Sequence, residues 1–498
     1  MNLFQIMNIN ILKSQIIILF SLITFIIHLF NNYTFYQWPE MDNFPFFERF
    51  FDKLYLGNDF FTNSSHDGPN PRNPYQFIIA YLAEILNTNW QNIVYSIEII
   101  NLTIIPALIY NIILRISKTI YIQINKNFIF ISMLLIILLQ YYWISHLNLF
   151  GYSLDIFGSH TTQLSRLFLI SSLYLSLKKN SLPSFIIYSL NIIGTIIHPS
   201  QGLIFAIFYS LIKIKKGLKN LLFYNTINII VPFFIIITLF SDYSLGVEDF
   251  KRIYIELRHP HHYLISEIFK SNFMKIKFGI FILLLSLPAF IIKRFKLLYL
   301  PIILVLIILI QYFFTEIYSF KYFQYLSLTK IFEYTPLILI IYYSGIVKTK
   351  YSNKTKPIKP LIFNVIVFSL VSIVFIFKPS IEKINKIYNN EPLIEFISKT
   401  DKKSLFASDH HYVFNGDIIR LLTKRSVFSS ESFPFNQKHF LEYERRFTLN
   451  KLLYNSKNYL HIMKENDIDY ILLEKSSNKK FDLNLVYDGK AYSIYSIN

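Results

Sequence analysis

The chain has 498 residues, 53% of them hydrophobic, with 49 Lys and Arg against 31 Asp and Glu for a formal charge of +18, and no cysteine. The lack of cysteine excludes disulfides, thiolate metal sites and a cysteine nucleophile. The apolar residues come in long blocks, not in the alternation a soluble core requires, and point to lipid: a hydrocarbon core about 30 Å thick takes roughly 20 apolar residues of helix.

In chain order, spans are predicted at 14–31, 90–114, 127–146, 163–177, 183–197, 201–214, 221–240, 276–292, 298–314, 330–346 and 361–378. The first, ILKSQIIILFSLITFIIHLF, lacks a small-residue cleavage site and reads as an uncleaved span, not a signal peptide. The stretch at 75–87 carries Glu84 and is too short to cross, so it reads as a helix lying in the interface or dipping partly into the membrane. The expected fold is an all-α polytopic membrane bundle of about eleven helices over 1–378, followed by a small α/β extracytoplasmic domain over 379–498.

Charge tests this topology, because cytoplasmic loops are enriched in Lys and Arg. Lys13, the segment from Arg115 to Lys126, Lys178 and Lys179, the segment from Lys213 to Lys219, the segment from Lys293 to Lys296 and the segment from Lys348 to Lys359 all fall on one side. Together they carry eighteen basic residues, equal to the whole net charge, and no Asp or Glu. The N-terminus is therefore expected in the cytoplasm and the C-terminus outside. Basic residues confined to short turns between spans also exclude nucleic acid as a partner, since that role needs them interleaved with aromatics on one exposed surface.

The long segments 32–74, 145–162, 241–275 and 379–498, with a shorter one at 315–329, face outward, so any active face is the outer one. In the first of these, Glu40 and Asp42 follow the first span beside Trp38 and Pro39. Carboxylates two apart at the mouth of a bundle serve as a general base or as hard oxygen ligands for a divalent cation, Mg or Mn; interfacial charges after an aromatic anchor are the alternative. Asp59, His66 and Asp67 extend the acidic character of the loop, Asp59 taken singly reading as a helix cap, and Arg49 and Arg72 offer phosphate partners. The second outer segment brings Asp155 and His160, with Arg166 just inside the next span, where an ionisable residue is a functional candidate unless it snorkels.

His198 stands at a span end in HPSQG, and RHPHHY carries Arg258, His259, His261 and His262. The proline breaks the helical spacing of a zinc motif and no HExxH is present, so a phosphate-facing cluster and a polar cap over the bundle are both open readings. Lys330 and Glu333, three apart, suit a helix-face pair, and Glu98 lies inside the second span without an evident partner. No GxxxxGK[ST] or GxGxxG fingerprint occurs, and no internal repeat of the kind that builds inverted transporter folds. In the C-terminal segment SLFASDH, SVFSSES, DYILLEK, LNLVYDG and AYSIYSI read as strands and the run from His439 to Asp467 as helical, with a hairpin closing at Gly489.

This arrangement resembles the GT-C superfamily of polytopic glycosyltransferases, which includes protein mannosyltransferase-like and aminoarabinose-transferase-like enzymes. Glu40-Met41-Asp42 matches the ExD variant of its acidic motif, and Asp155 falls where a second acidic residue is expected. More narrowly, LYLGNDFF at 54–61, HPSQG at 198–202, RHPHHY at 258–263, KRSVFSSESFPF at 424–435 and EYERRF at 442–447 resemble a family of uncharacterised bacterial membrane proteins. The resemblance implies transfer of a sugar from a polyprenyl-phosphate donor to an acceptor at the outer face of the bacterial cytoplasmic membrane. Asp42 would be general base or metal ligand, supported by Glu40 and Asp155; Arg258, His261 and His262 would face the lipid phosphate, and Asp59, Arg166 and His198 would line the substrate site. The motif is ExD, not the DE of the aminoarabinose-transferase type, which leaves metal dependence open. A non-catalytic binder of lipid-linked glycan or surface polymer, and a transporter or flippase, are the alternatives.

Overall fold

The structure, a computed structural model, describes residues 42–119, 161–177, 184–213, 245–320, 328–351 and 390–497 apart from a few single positions, with scattered residues of 122–133 and 229–234. The chain divides into two compact units, one of Met1–Asn32, Val94–Ile237 and His259–Lys378, the other of Tyr33–Ile93, Thr238–Arg258 and Pro379–Asn498.

The first unit is helical. Among the described residues four helices are long and apolar enough to cross a membrane: Trp90–Lys118, Asn272–Ile291, Tyr299–Ile317 and Leu328–Lys348. They are the character of a helical membrane protein, and they coincide with the spans expected at 90–114, 276–292, 298–314 and 330–346. The spans expected at 163–177, 183–197 and 201–214 are the helices Thr161–Ser176, Ser184–Ile197 and Pro199–Lys213. At 14 to 16 residues each covers only about 21–24 Å of a core about 30 Å thick. The spans expected at 14–31, 127–146, 221–240 and 361–378 lie wholly or largely outside the described residues. Among the described residues four full-length spans are thus seen, fewer than the eleven expected of the whole chain.

The unit's core is built from Ile109 and Ile113, Leu169 and Leu173, Phe205 and Phe208, Leu285, Leu304 and Ile341. Close packing of two of the short helices depends on Gly194: a Cβ there would come within 3.0 Å of the Ser165 carbonyl oxygen, and the Ser165 hydroxyl donates to the Gly194 carbonyl at 2.6 Å. Small residues and hydroxyls at such crossings are what associate helices when lipid removes the hydrophobic drive. On the other side, Ile276, Ile280, Leu283 and Leu287 are exposed along the Asn272–Ile291 helix, as are Ile302, Leu306 and Leu309 on the next. Apolar stripes of this length suit a hydrocarbon environment.

The second unit is α/β. Its strands are β1 (Leu405–Ala407), β2 (Ser426–Val427), β3 (Tyr470–Glu474), β4 (Asn484–Asp488) and β5 (Tyr492–Ser496). They lie in the order β2-β1-β3-β5-β4, with β1 parallel to β2 and β3 and the remaining pairs antiparallel. The five strands and the β4–β5 hairpin at Gly489 match the sequence expectation; the helical run after His439 divides into Phe440–Asn455 and Tyr459–Glu465. Strand β1 is buried throughout, and the sheet core joins Phe406, Ile419, Val427, Leu453, Met463, Ile471 and Ile494. The outer strand β4 is largely exposed and carries a register shift between Leu485 and Tyr487, an irregularity that blunts a free edge.

The unit comprises Pro379–Asn498 and two earlier segments, Tyr33–Ile93 and Thr238–Arg258, which fold with the C-terminal sheet. Asn58 Nδ2 donates to the Lys403 carbonyl at 3.1 Å, Lys438 Nζ meets Asp67 at 2.5 Å, and Asn436 Nδ2 donates to the Asp67 carbonyl at 2.7 Å. From the other segment Arg252 pairs with Glu444, and Tyr254 stacks on Phe440.

Candidate functional site

Three helices form the first of these segments: Phe44–Phe51, Phe60–His66 and Asn73–Ile85. Asp42 stands just ahead of the first and Arg72 at the N-terminus of the third, and their side chains form an ion pair at 2.6 Å. The helices are held together behind the pair, where Gln76 Nε2 donates to Asn43 Oδ1 at 3.2 Å and Asn70 Oδ1 accepts from the Arg72 backbone N–H at 2.8 Å. Asp42 is 8% exposed. Burial of such a carboxylate is compensated by a directly paired opposite charge, here the Arg72 guanidinium.

A second buried network stands beside it. The Gly416–Thr423 helix begins at Asn415, whose side chain accepts from the Ile418 N–H, and a Cβ on Gly416 would lie 2.5 Å from the Ser429 carbonyl oxygen. That close approach sets Asp417 and Arg420 against the serine run after β2. Arg420 donates to Asp417 Oδ1 at 2.8 Å, to Ser430 Oγ at 3.1 Å and to Asp59 Oδ2 at 3.1 Å, and Ser432 Oγ donates to Asp417 Oδ1 at 2.5 Å. Asp59 also caps Phe60–His66 by accepting from the Thr62 N–H at 2.8 Å, and it takes the Val427 N–H at 3.0 Å. Every part of the Asp59 carboxylate is thus engaged in joining the first segment to β2, the capping role included.

Burial pushes the Asp417 carboxyl above its usual range, against the pull of Arg420 and Ser432, and the charge of Asp42 adds to the rise. Among the described residues Asp417 Oδ2 is buried without a hydrogen-bond partner. Tyr443 is raised too, chiefly by burial; Arg258 opposes the rise, while Asp417, Glu431 and Asp42 add to it. Arg258 itself lies over the rings of Tyr254 at 5.1 Å and Phe433 at 4.7 Å. Asp42, Arg72, Asp417, Tyr443 and Arg258 therefore belong to one electrostatic cluster drawn from three separate stretches of chain. LYLGNDFF and KRSVFSSESFPF meet at Arg420 through Asp59 and Ser430, and EYERRF brings Tyr443 to the cluster.

Of the other expected site residues, Glu40 and Asp155 lie outside the described residues, as do the side chains of His261 and His262, which sit in the single turn Pro260–Tyr263. Arg166 and His198 belong to the helical unit. Arg166 pairs with Glu333, buried; Gln201 Nε2 reaches the same carboxylate at 3.3 Å, and Tyr334 Oη donates to Gln201 at 3.3 Å. Glu333, expected to face Lys330, is thus bound across helices. His198 Nδ1 is 3.1 Å from Ser200 Oγ, and Glu98 is buried. In the first segment Arg49 donates to Asn63, and His66 stacks on Phe46 with ring centroids 4.3 Å apart.

Among the described residues no three His, Asp or Glu side chains are grouped to hold a metal ion, and the Asp42 oxygen nearest Arg72 is taken by the guanidinium. The described carboxylates therefore offer no complete ligand set for Mg or Mn. Sequence reading found Asp42, Asp59, Arg72 and Arg258 but not Asp417, Arg420 or Tyr443. Asp417 and Arg420, three apart on a helix, look in sequence like a surface pair; their burial depends on β2 and on the chain around Asp59. No protein-family model and no curated protein matches the chain.

Proposed function

We propose that this protein is a membrane glycosyltransferase that moves a sugar from a polyprenyl-phosphate donor to an acceptor on the outer face of the cytoplasmic membrane. In this reading the chain is a multi-pass membrane protein with its N-terminus in the cytoplasm, as the distribution of Lys and Arg favours, and the α/β unit stands outside. The observation that carries the reading is the enclosure of Asp42 with Arg72 in a cluster that also contains Arg258.

Asp42 is the general base. It takes the proton of the acceptor hydroxyl as that oxygen bonds to the anomeric carbon, and the bond from that carbon to the donor phosphate oxygen breaks, its electron pair leaving with the prenyl phosphate. Arg72 and Arg258 meet the charge on the departing phosphate, for which guanidinium forks are suited. Glu40, two residues before Asp42 in the chain, supports it.

The test is mass spectrometry of lipid-linked and surface glycans from cells lacking the gene, complemented with wild type or Asp42→Asn. The expected outcome is a sugar that disappears and returns only with wild type, the variant retaining at most about 1% of the transfer, in keeping with the 10²–10⁴-fold contribution of general bases. Full restoration by Asp42→Asn would remove Asp42 from catalysis. An unchanged glycan profile would favour a binder or transporter.

A further inference from the structure

A cleft of about 740 Å³ opens in the α/β unit, lined by the starts of β1 and β3 and by residues of the first segment and the Phe440–Asn455 helix. Its volume is that of a small-molecule site. The wall is polar, with Asp401, Asp467 and Asp469, the cations Lys403 and Arg446, and the amides Asn58 and Asn466; Leu405 and Val486 are its few aliphatic members.

Several of these groups are held in place by the fold. Asp401 Oδ1 accepts from the Lys403 N–H at 2.7 Å and Asp469 Oδ2 from the Leu405 N–H at 2.8 Å. The second oxygen of each has no hydrogen-bond partner among the described residues. Arg446 is fixed by Glu442 at 2.6 Å and by the faces of Phe60 and Phe428 at 4.9 and 5.1 Å. Asn466 Oδ1 is anchored by Arg445 at 2.8 Å, and Tyr470 stacks on Phe406.

This lining discriminates among ligand classes. An apolar ligand would strand the polar groups unsolvated. Three carboxylates against two cations disfavour an anion, and the cleft sits at the amino ends of parallel β1 and β3, opposite to where open α/β sheets hold nucleotides. No three acids are grouped for a cation among the described residues. A sugar suits it, because vicinal hydroxyls both donate and accept and so satisfy fixed carboxylates beside amides and a guanidinium. We infer that this cleft binds a neutral oligosaccharide. The inference does not rest on the transfer reaction; binding without turnover satisfies it.

The test uses the full chain in phospholipid nanodiscs, free of sugar-headed detergent. Chitotetraose, cellotetraose, maltotetraose and mannotetraose are titrated by saturation-transfer difference NMR against wild type, Asp467→Asn, Asp401→Asn/Asp467→Asn and, as an exposed control at the opposite end of the sheet, Asp488→Asn. Both cleft substitutions keep the side-chain shape and remove only charge. The expected result is that one tetrasaccharide binds wild type and the control with Kd at or below about 10 mM and binds the double variant about tenfold more weakly, the loss of roughly one charge-assisted hydrogen bond. The inference is overturned if none of the four binds wild type, if binding is equal in the double variant, or if a tetralysine peptide binds there in their place. Loss of transfer in Asp42→Asn would leave each of these outcomes unchanged.

Discussion

Asp59 and Asp42 stand seventeen residues apart in one loop, yet their surroundings assign them different work. Asp59 is fully buried and bonded to a helix N-terminus, a guanidinium and a strand N–H, so its removal acts on folding before it acts on any substrate. Breaking a buried ion pair from one side leaves the remaining charge uncompensated, at about 3–5 kcal/mol. Arg420→Ala, which strands both Asp59 and Asp417, is expected to destabilise by that amount. Asp59→Asn should recover part of the loss when combined with it, giving a coupling of about 1–3 kcal/mol in a double-mutant cycle followed by denaturant unfolding. Strict additivity of the two substitutions would show that the pair is not the fastening between the first segment and β2.

The Asn73–Ile85 helix agrees with its expectation as a short, non-spanning element. Tyr75, Gln76, Ile79, Ala80 and Ala83 face inward, whereas Phe77, Tyr81 and Ile85 are exposed together with Leu86 and, from the Phe44–Phe51 helix, Phe51. An exposed aromatic and aliphatic face on a helix that runs by a short turn into the span at Trp90 is suited to the headgroup boundary. Ile85→Trp in vesicles of acyl-brominated phosphatidylcholine should show fluorescence quenching beyond that of the three native tryptophans. An unquenched signal would place this face in water. The same reasoning explains why this element was legible in sequence while the division of the helical run after His439 was not: apolar length is a local property, but a break at Ser456–Asn458 depends on what each half packs against.

Acid response belongs to the chain as a whole, because buried imidazoles tie the stability of the unit to pH. His410, just after β1 and stacked on Phe447, is lowered to about 4, first by burial; His66 is lowered to about 4 by burial and then by Arg49. Both titrate near 6.5 when unfolded, so between about pH 6.5 and 4 the unfolded chain binds more protons and stability falls as pH falls. For His410 the loss reaches about 3 kcal/mol at pH 4. Thermal unfolding of the full chain is therefore expected to weaken over this window, and His410→Gln to flatten the dependence. An unchanged slope in that variant would mean that His410 is accessible to protons in the folded state.

Apolar block length, the placement of Lys and Arg, and strand alternation after residue 400 are local or additive properties, and from them the sequence by itself determined a membrane protein with a small C-terminal sheet. Span number was less secure, because a block of 14 to 16 residues satisfies an apolarity count while falling short of the bilayer's thickness. Tertiary structure alone decided that 42–93 and 245–258 fold with the C-terminal sheet, that Asp59 fastens where Asp42 pairs with Arg72, and that Asp417, Arg420 and Tyr443 share a buried cluster with them. The reason is physical: a charge's role follows from the dielectric around it and the partners opposite it, and here those partners lie up to several hundred residues away along the chain.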